Sequence, residues 1–239
     1  MMLQSHQDFN GGEVNPDPWE AAYIRFETPA QEVRKFMRRL LKLGAHRWNR
    51  ESQVVELFCG RGNGLHALER LGFTHIEGID LSPTLAATYR GPATIHVDDC
   101  RKLSMDDDSR DLAIVQGGLH HLQSLPADLE QTLTEARRVL RPGGIFVAVE
   151  PWLTPFLRLV HAACRSRTAR RLWDRVDAMA VMIEHERKTY EQWLRQPDTI
   201  LGLLKKHFQT ERCSIAWGKL MFVGRKGHPA HSPAGASSH

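Results

Sequence analysis

No apolar run in the 239-residue chain approaches the roughly 18 residues that a membrane-spanning helix needs. The opening MMLQSHQDFNGGE also lacks the basic start and apolar stretch of a secretion signal. Cysteine is scarce, since Cys59, Cys100, Cys164 and Cys213 stand far apart with no Cys-x-x-Cys among them. That spacing supports neither a disulfide framework nor a zinc site, so a reducing compartment is expected, with no metal. A cytoplasmic protein is the simplest expectation. No Gly-Lys-Ser/Thr follows a glycine loop, which excludes a phosphate-binding P-loop.

The composition, 41% hydrophobic and 25% charged, suits one α/β domain with room for an insertion. The formal net charge of +4 is unevenly spread: residues 1–150 carry a net −4, residues 151–208 a net +5 and residues 209–239 a net +3. Basicity belongs to the last third, where a segment meeting an anionic partner is one reading and a solvated arginine-rich helix face the other.

Residues 1–27 read as a polar N-terminal arm. Thr28 to Gly44 predicts a lead-in helix, with a Thr cap, Pro29 at its first position, apolar residues at helical spacing and a terminating glycine. Short β-branched runs then alternate with helical stretches: VVELF (54–58), HIEGID (75–80), TIHVD (94–98), LAIVQ (112–116) and GIFVAVE (144–150), with helices starting near Asn63, Ser82 and Ala127. This rhythm predicts βαβ units and a doubly wound, mostly parallel sheet. Residues 197–226 add a last helix and the hairpin TERCSIAW/KLMFVGRK, which brings the sheet to seven strands. Residues 151–196 are not needed by the sheet and are expected to form a helical cap after the fifth strand. Residues 227–239 have the composition of a disordered tail.

The first βα turn, VVELFCGRGNGLHALERLGF, places Gly60, Gly62 and Gly64 where a backbone can turn sharply and approach a ligand. A dinucleotide fingerprint competes, because Asp80 lies 20 residues beyond Gly60. Leu65 stands where that fingerprint needs Gly or Ala, and Glu56 is an awkward neighbour for a pyrophosphate. A ligand with a cationic end, a ribose and a purine suits these residues better.

Five segments in order, ELFCGRGNG, EGIDLS, HVDDCRKL, DLAIVQGGLHHL and EARRVLRPGGIFVAVEP, resemble the class I S-adenosylmethionine-dependent methyltransferases of the small-molecule type. The resemblance covers about residues 50–150. It implies the Rossmann-like methyltransferase fold and S-adenosylmethionine as cofactor. It also implies that Glu56, Phe58, Gly60 and Gly62 border the methionine moiety and that Gln116 offers its carbonyl to the ammonium. Asp80 would take the ribose hydroxyls, Leu81 would pack on adenine, and Asp99 would take the adenine amino group beside Cys100. Phe58 and Arg61 depart from the small residues usual at those positions, and Phe58 is expected to crowd a neighbour.

Methyl transfer from a sulfonium needs alignment above all, and a base only when the nucleophile must lose a proton. His120 and His121 after the fourth strand and Glu150 at the end of the fifth are the catalytic candidates. Candidates for the substrate are Tyr23, Trp152, Arg170, Arg171, His185 and Tyr190, with His161 and Glu186 as further cap options. The expected activity is methylation of an O or N atom of a small, anionic metabolite, without nucleic acid. A non-catalytic cofactor-binding regulator and a nucleic-acid or protein methyltransferase are the alternatives, and peripheral contact between the basic cap and anionic lipid is a further reading.

Overall fold

A computed structural model describes residues 18–228; the arm residues 1–17 and the tail from 229 lie outside the described residues. Seven strands form one sheet in the order β3-β2-β1-β4-β5-β7-β6. They are β1 (Gln53–Leu57), β2 (His75–Asp80), β3 (Thr94–Val97), β4 (Arg110–Gln116), β5 (Leu140–Pro151), β6 (Gln209–Ala216) and β7 (Lys219–Arg225). The first five are mutually parallel and the terminal hairpin joins β5 antiparallel through β7. Alternating residues serve opposite faces. Val54, Leu112, Ile114 and Val147 pack with Leu40, Leu43, Leu65 and Leu68 on one side. Val55, Leu57, Phe146 and Ala148 pack with Leu129, Leu133, Leu204 and Phe208 on the other. β5 also takes in Arg141–Gly144, which the sequence suggests as a turn: Arg110 pairs with Leu140, and the register slips before Leu112.

Helix α1 (Pro18–Phe26) is a correction to the arm expected over 1–27. Helix α2 (Pro29–Leu43) has the expected caps: Thr28 and Gln31 form a reciprocal capping box, and Gly44 closes the helix at φ 105°. Helices α3 (Asn63–Arg70), α4 (Pro83–Ala86) and α5 (Ala127–Val139) connect the parallel strands. Between β5 and α10 (Pro197–His207) lie α6 (Pro155–Arg165), α7 (Arg167–Leu172), α8 (Asp174–His185) and α9 (Arg187–Leu194). α1 packs along α8, and α9 touches the 3-10 turn Leu119–His121 after β4. Among the described residues no helix is long and apolar enough to cross a membrane.

Candidate active site

The chain leaves β1 toward β2 and β3 on one side and reaches β4 and β5 on the other, so a cleft opens at the carboxyl ends of β1 and β4. Four polar residues, Glu56, Asp80, Gln116 and Glu150, end or nearly end the four strands around it.

The glycine loop is bent at three successive left-handed positions, Phe58 (φ 57°), Gly60 (φ 52°) and Gly62 (φ 78°). Asp80 holds it from β2: one carboxylate oxygen accepts the Gly60 N–H at 2.8 Å and the other the Ser82 N–H at 2.8 Å. The crowding expected at Phe58 is relieved across the cleft by Gly118, where a Cβ would stand 2.4 Å from the Phe58 side chain. Gly64 has the same relation to Glu56, since a Cβ there would lie 1.8 Å from Oε1.

Glu56 is 2% exposed, and burial pushes its carboxyl up to about 8. Its Oε1 accepts a long hydrogen bond, 3.4 Å, from Gln116 Nε2, whereas Glu56 Oε2 and Gln116 Oε1 are buried with no donor. Buried oxygens without a partner are satisfied by a ligand that donates to them.

Around the purine position expected from the sequence, Leu81 is 62% exposed and free to cover an aromatic face. Cys100 is buried, and its sulfur meets the Phe58 backbone N–H. Asp99 is not idle: Arg101 binds both its oxygens, at 2.7 and 3.0 Å among other contacts, and holds its carboxyl below the ordinary range. Arg101 in turn reaches Asp128 at 3.2 Å. Asp98 is turned back on the chain, capping the Asp99 and Ser104 N–H groups.

The fourth and fifth strands build the other half. Glu150, 1% exposed, accepts the Gly118 and Leu119 N–H groups at 2.9 and 2.8 Å through Oε1, and meets His120 Nδ1 at 2.8 Å through Oε2. His120 Nε2 lies 3.8 Å from one Glu186 oxygen and His121 Nδ1 3.7 Å from the other. Burial and the adjacent His120 hold His121 well below its ordinary value, and burial raises Glu186. Tyr190 presents its edge to the His120 ring at 6.0 Å and bonds His161 Nε2 through its hydroxyl at 3.0 Å. His120, His121, Glu150 and Tyr190 are thus brought together.

Other substrate candidates are placed differently. Trp152 belongs to the core, edge-on to Trp193 at 6.4 Å, because the indole of Trp193 is fixed to the Pro151 carbonyl at 2.8 Å. Arg170 is held by Asp177 at 2.8 Å and Glu184 at 2.7 Å, so it ties α7 to α8. Arg171 and His185 are exposed. Tyr23 stacks on Trp19 at 5.0 Å and bonds Glu32, whose carboxylate also accepts from Asn63 Nδ2 at 2.8 Å, directly beside the glycine loop. Glu32, Asn63, Arg39 and Lys219 are missed by sequence reasoning, and only the helical spacing of Glu32 and Arg39 on α2 hints at a shared face.

Residues 55–148 match a family model described as "Methyltransferase domain". Over those residues the chain is similar to the class I S-adenosylmethionine-dependent methyltransferases. The similarity supports S-adenosylmethionine as the cofactor. A 2-phytyl-1,4-naphtoquinone methyltransferase of Nostoc punctiforme is 32% identical over 44% of the chain and 53% of its own length. A ubiquinone/menaquinone biosynthesis C-methyltransferase of a Geobacter species is 30% identical over 52% of the chain and 62% of its own length. The methyltransferase domain thus matches a little over half of these curated relatives. Among solved structures, a Pyrococcus horikoshii protein superposes with a TM-score of 0.65 at 22% identity, covering 88% of this chain and 99% of that one.

Proposed function

We propose that the chain transfers the methyl group of S-adenosylmethionine to an ionisable atom of a small acidic molecule held between the cleft and the helices α6–α9. The observation that carries this reading is the Glu150–His120 pair at the carboxyl edge. When bound, the cofactor supplies an electrophilic methyl on a sulfonium. Glu56 and Gln116 would hold its ammonium, Asp80 its ribose, and Leu81, Asp99 and Cys100 its adenine, with Phe58, Gly60 and Gly62 giving the backbone its close approach. Glu150 accepts Nδ1–H, which leaves the Nε2 lone pair of His120 facing the cap and fit to take a proton from the acceptor. The same deprotonation would make a phenol's ring carbon nucleophilic, as suits relatives named as quinone C-methyltransferases.

An acidic acceptor is supported by Arg39 and Lys219 rather than by Arg170 and Arg171. Lys219 opens β7 opposite Pro151, one residue from Glu150, and Arg39 lies close to it. The carboxylates near both are bonded elsewhere: Glu27 and Glu32 to Lys35, and Glu150 to Gly118, Leu119 and His120. Burial, with repulsion from Arg39 and Lys35, pushes the Lys219 ammonium down to about 7 against the pull of Glu27 and Glu150.

The test is S-adenosylhomocysteine release over a panel of small hydroxylated and amino acids. His120→Asn is expected to lower kcat on the accepted compound by about 100-fold or more while leaving cofactor affinity unchanged. Turnover indifferent to both His120→Asn and Glu150→Gln would overturn the reading.

A further inference from the structure

The two histidines and Glu186 form a second constellation within this cleft. One ligand-type atom from each of the three lies within 4.8 Å of the others. The two histidine–carboxylate separations, 3.8 and 3.7 Å, are too long for hydrogen bonds. They are close to the ligand-to-ligand spacing of about 3.4 Å around a tetrahedral ion with bonds near 2.1 Å. Each side chain is also oriented from behind. His120 is held by Glu150 at 2.8 Å, His121 by the backbone of Gly117, and Glu186 has the Trp19 indole beside it. A carboxylate on the far nitrogen, as Glu150 is on His120, is the arrangement that fixes metal-binding histidines.

We propose that His120 Nε2, His121 Nδ1 and a Glu186 carboxylate oxygen bind a divalent first-row transition cation, with coordination positions left open for an oxygen of the acceptor. Two imidazoles and a carboxylate suit Zn²⁺, Mn²⁺, Fe²⁺ or Co²⁺ better than Ca²⁺ or Mg²⁺. The carboxylates of Glu186 and Glu150 together offset the two positive charges. The side chains are 11% exposed at His120, 19% at Glu186 and 39% at His121, so an ion can enter from the His121 side. With the cation in place, the lone pair that serves as a base in the metal-free protein becomes a ligand, and an acceptor hydroxyl would be acidified by binding the ion. The site goes beyond the methyl-transfer reading and shares with it His120 and Glu150.

The full chain, stripped with a chelator, is titrated with Co²⁺ in the absence of cofactor and acceptor. One equivalent is expected to bind with the visible absorption of a four- or five-coordinate nitrogen–oxygen site, and Zn²⁺ should displace it. His121→Ala and Glu186→Gln should each weaken binding at least about tenfold, and Glu150→Gln about tenfold from behind. S-adenosylmethionine affinity serves as the check that each variant is folded. In the wild type, Zn²⁺ should slow deuterium exchange at the ring C–H of His120 and His121, a readout that needs no variant. Absence of stoichiometric cobalt, binding indifferent to both ligand substitutions, or unchanged ring exchange would overturn the site. Loss of methyl transfer with cobalt binding intact would count against the proposed activity alone.

Discussion

Replacing Glu56 with Gln should stabilise the cofactor-free protein and weaken cofactor binding at the same time. The Glu56 carboxyl rises from 4.5 to about 8 because burial disfavours its charge. The stability of the wild type is therefore complete below about pH 4.5 and declines as the pH climbs toward 8, where the folded protein still holds a proton that the unfolded chain has released. At 1.36 kcal/mol per pH unit, the loss at pH 7 is roughly 3 kcal/mol. A glutamine is neutral throughout, and its amide can donate to the orphaned Gln116 oxygen. For a chain of this size the gain corresponds to roughly 6–12 °C in Tm at pH 7. The ammonium of the cofactor loses a charged partner worth about 1.5–3 kcal/mol, or roughly 10- to 150-fold in Kd. Thermal melts from pH 5 to 8 with and without S-adenosylmethionine, paired with calorimetry, read both effects. A Tm difference between the two proteins that does not widen with pH, or an unchanged cofactor Kd, would refute the assignment of a buried, charge-paired Glu56.

Gly64→Ala places a Cβ 1.8 Å from the Glu56 carboxylate, so calorimetry should show cofactor binding weakened and denaturant melts a loss of about 1–3 kcal/mol. Thr28→Ala removes the capping box of α2 and should cost about 1 kcal/mol in the same melts without altering cofactor affinity. For an acidic acceptor, the wild-type KM should rise as the pH passes about 7 and the Lys219 ammonium loses its proton. Lys219→Met should flatten that profile, and an unchanged profile would remove Lys219 from the acceptor site.

What the sequence reveals and what it hides divide along physical lines. The lead-in helix was legible because Thr28, Pro29 and Gly44 are local signals within one stretch of chain. The strand ends bearing Glu56, Asp80, Gln116 and Glu150 were legible because short β-branched runs have a fixed period and the five motifs come in order. α1 was not, because a nine-residue helix gains its stability from α8, about 150 residues away, rather than from its own propensity. The arginines of the cap show their charge in the sequence but not their partners. Arg170 is neutralised by Asp177 and Glu184, while Arg39, over the Phe36 ring, and Lys219 sit singly in segments that look unremarkable. Likewise, Glu186 stands 65 residues beyond His121, and only the docking of α9 against the turn after β4 closes that distance.

The contact of α1 with α8 bears on how acceptor specificity could be exchanged between relatives. Arg25 binds Asp174 at 2.8 Å and Asp177 at 3.2 Å, and Ala22, Ala178 and Ala180 are buried where the helices run. Helices α6–α9 are thus packed against residues that precede the recognisable methyltransferase motifs. A chimera that imports 155–194 from another chain while keeping the native 18–26 would join helices that have not been fitted to each other, with Arg25 facing a foreign surface in place of Asp174 and Asp177. Grafting the two pieces together is the design that keeps the α1–α8 contact, so they form one inheritable cassette despite their distance along the chain.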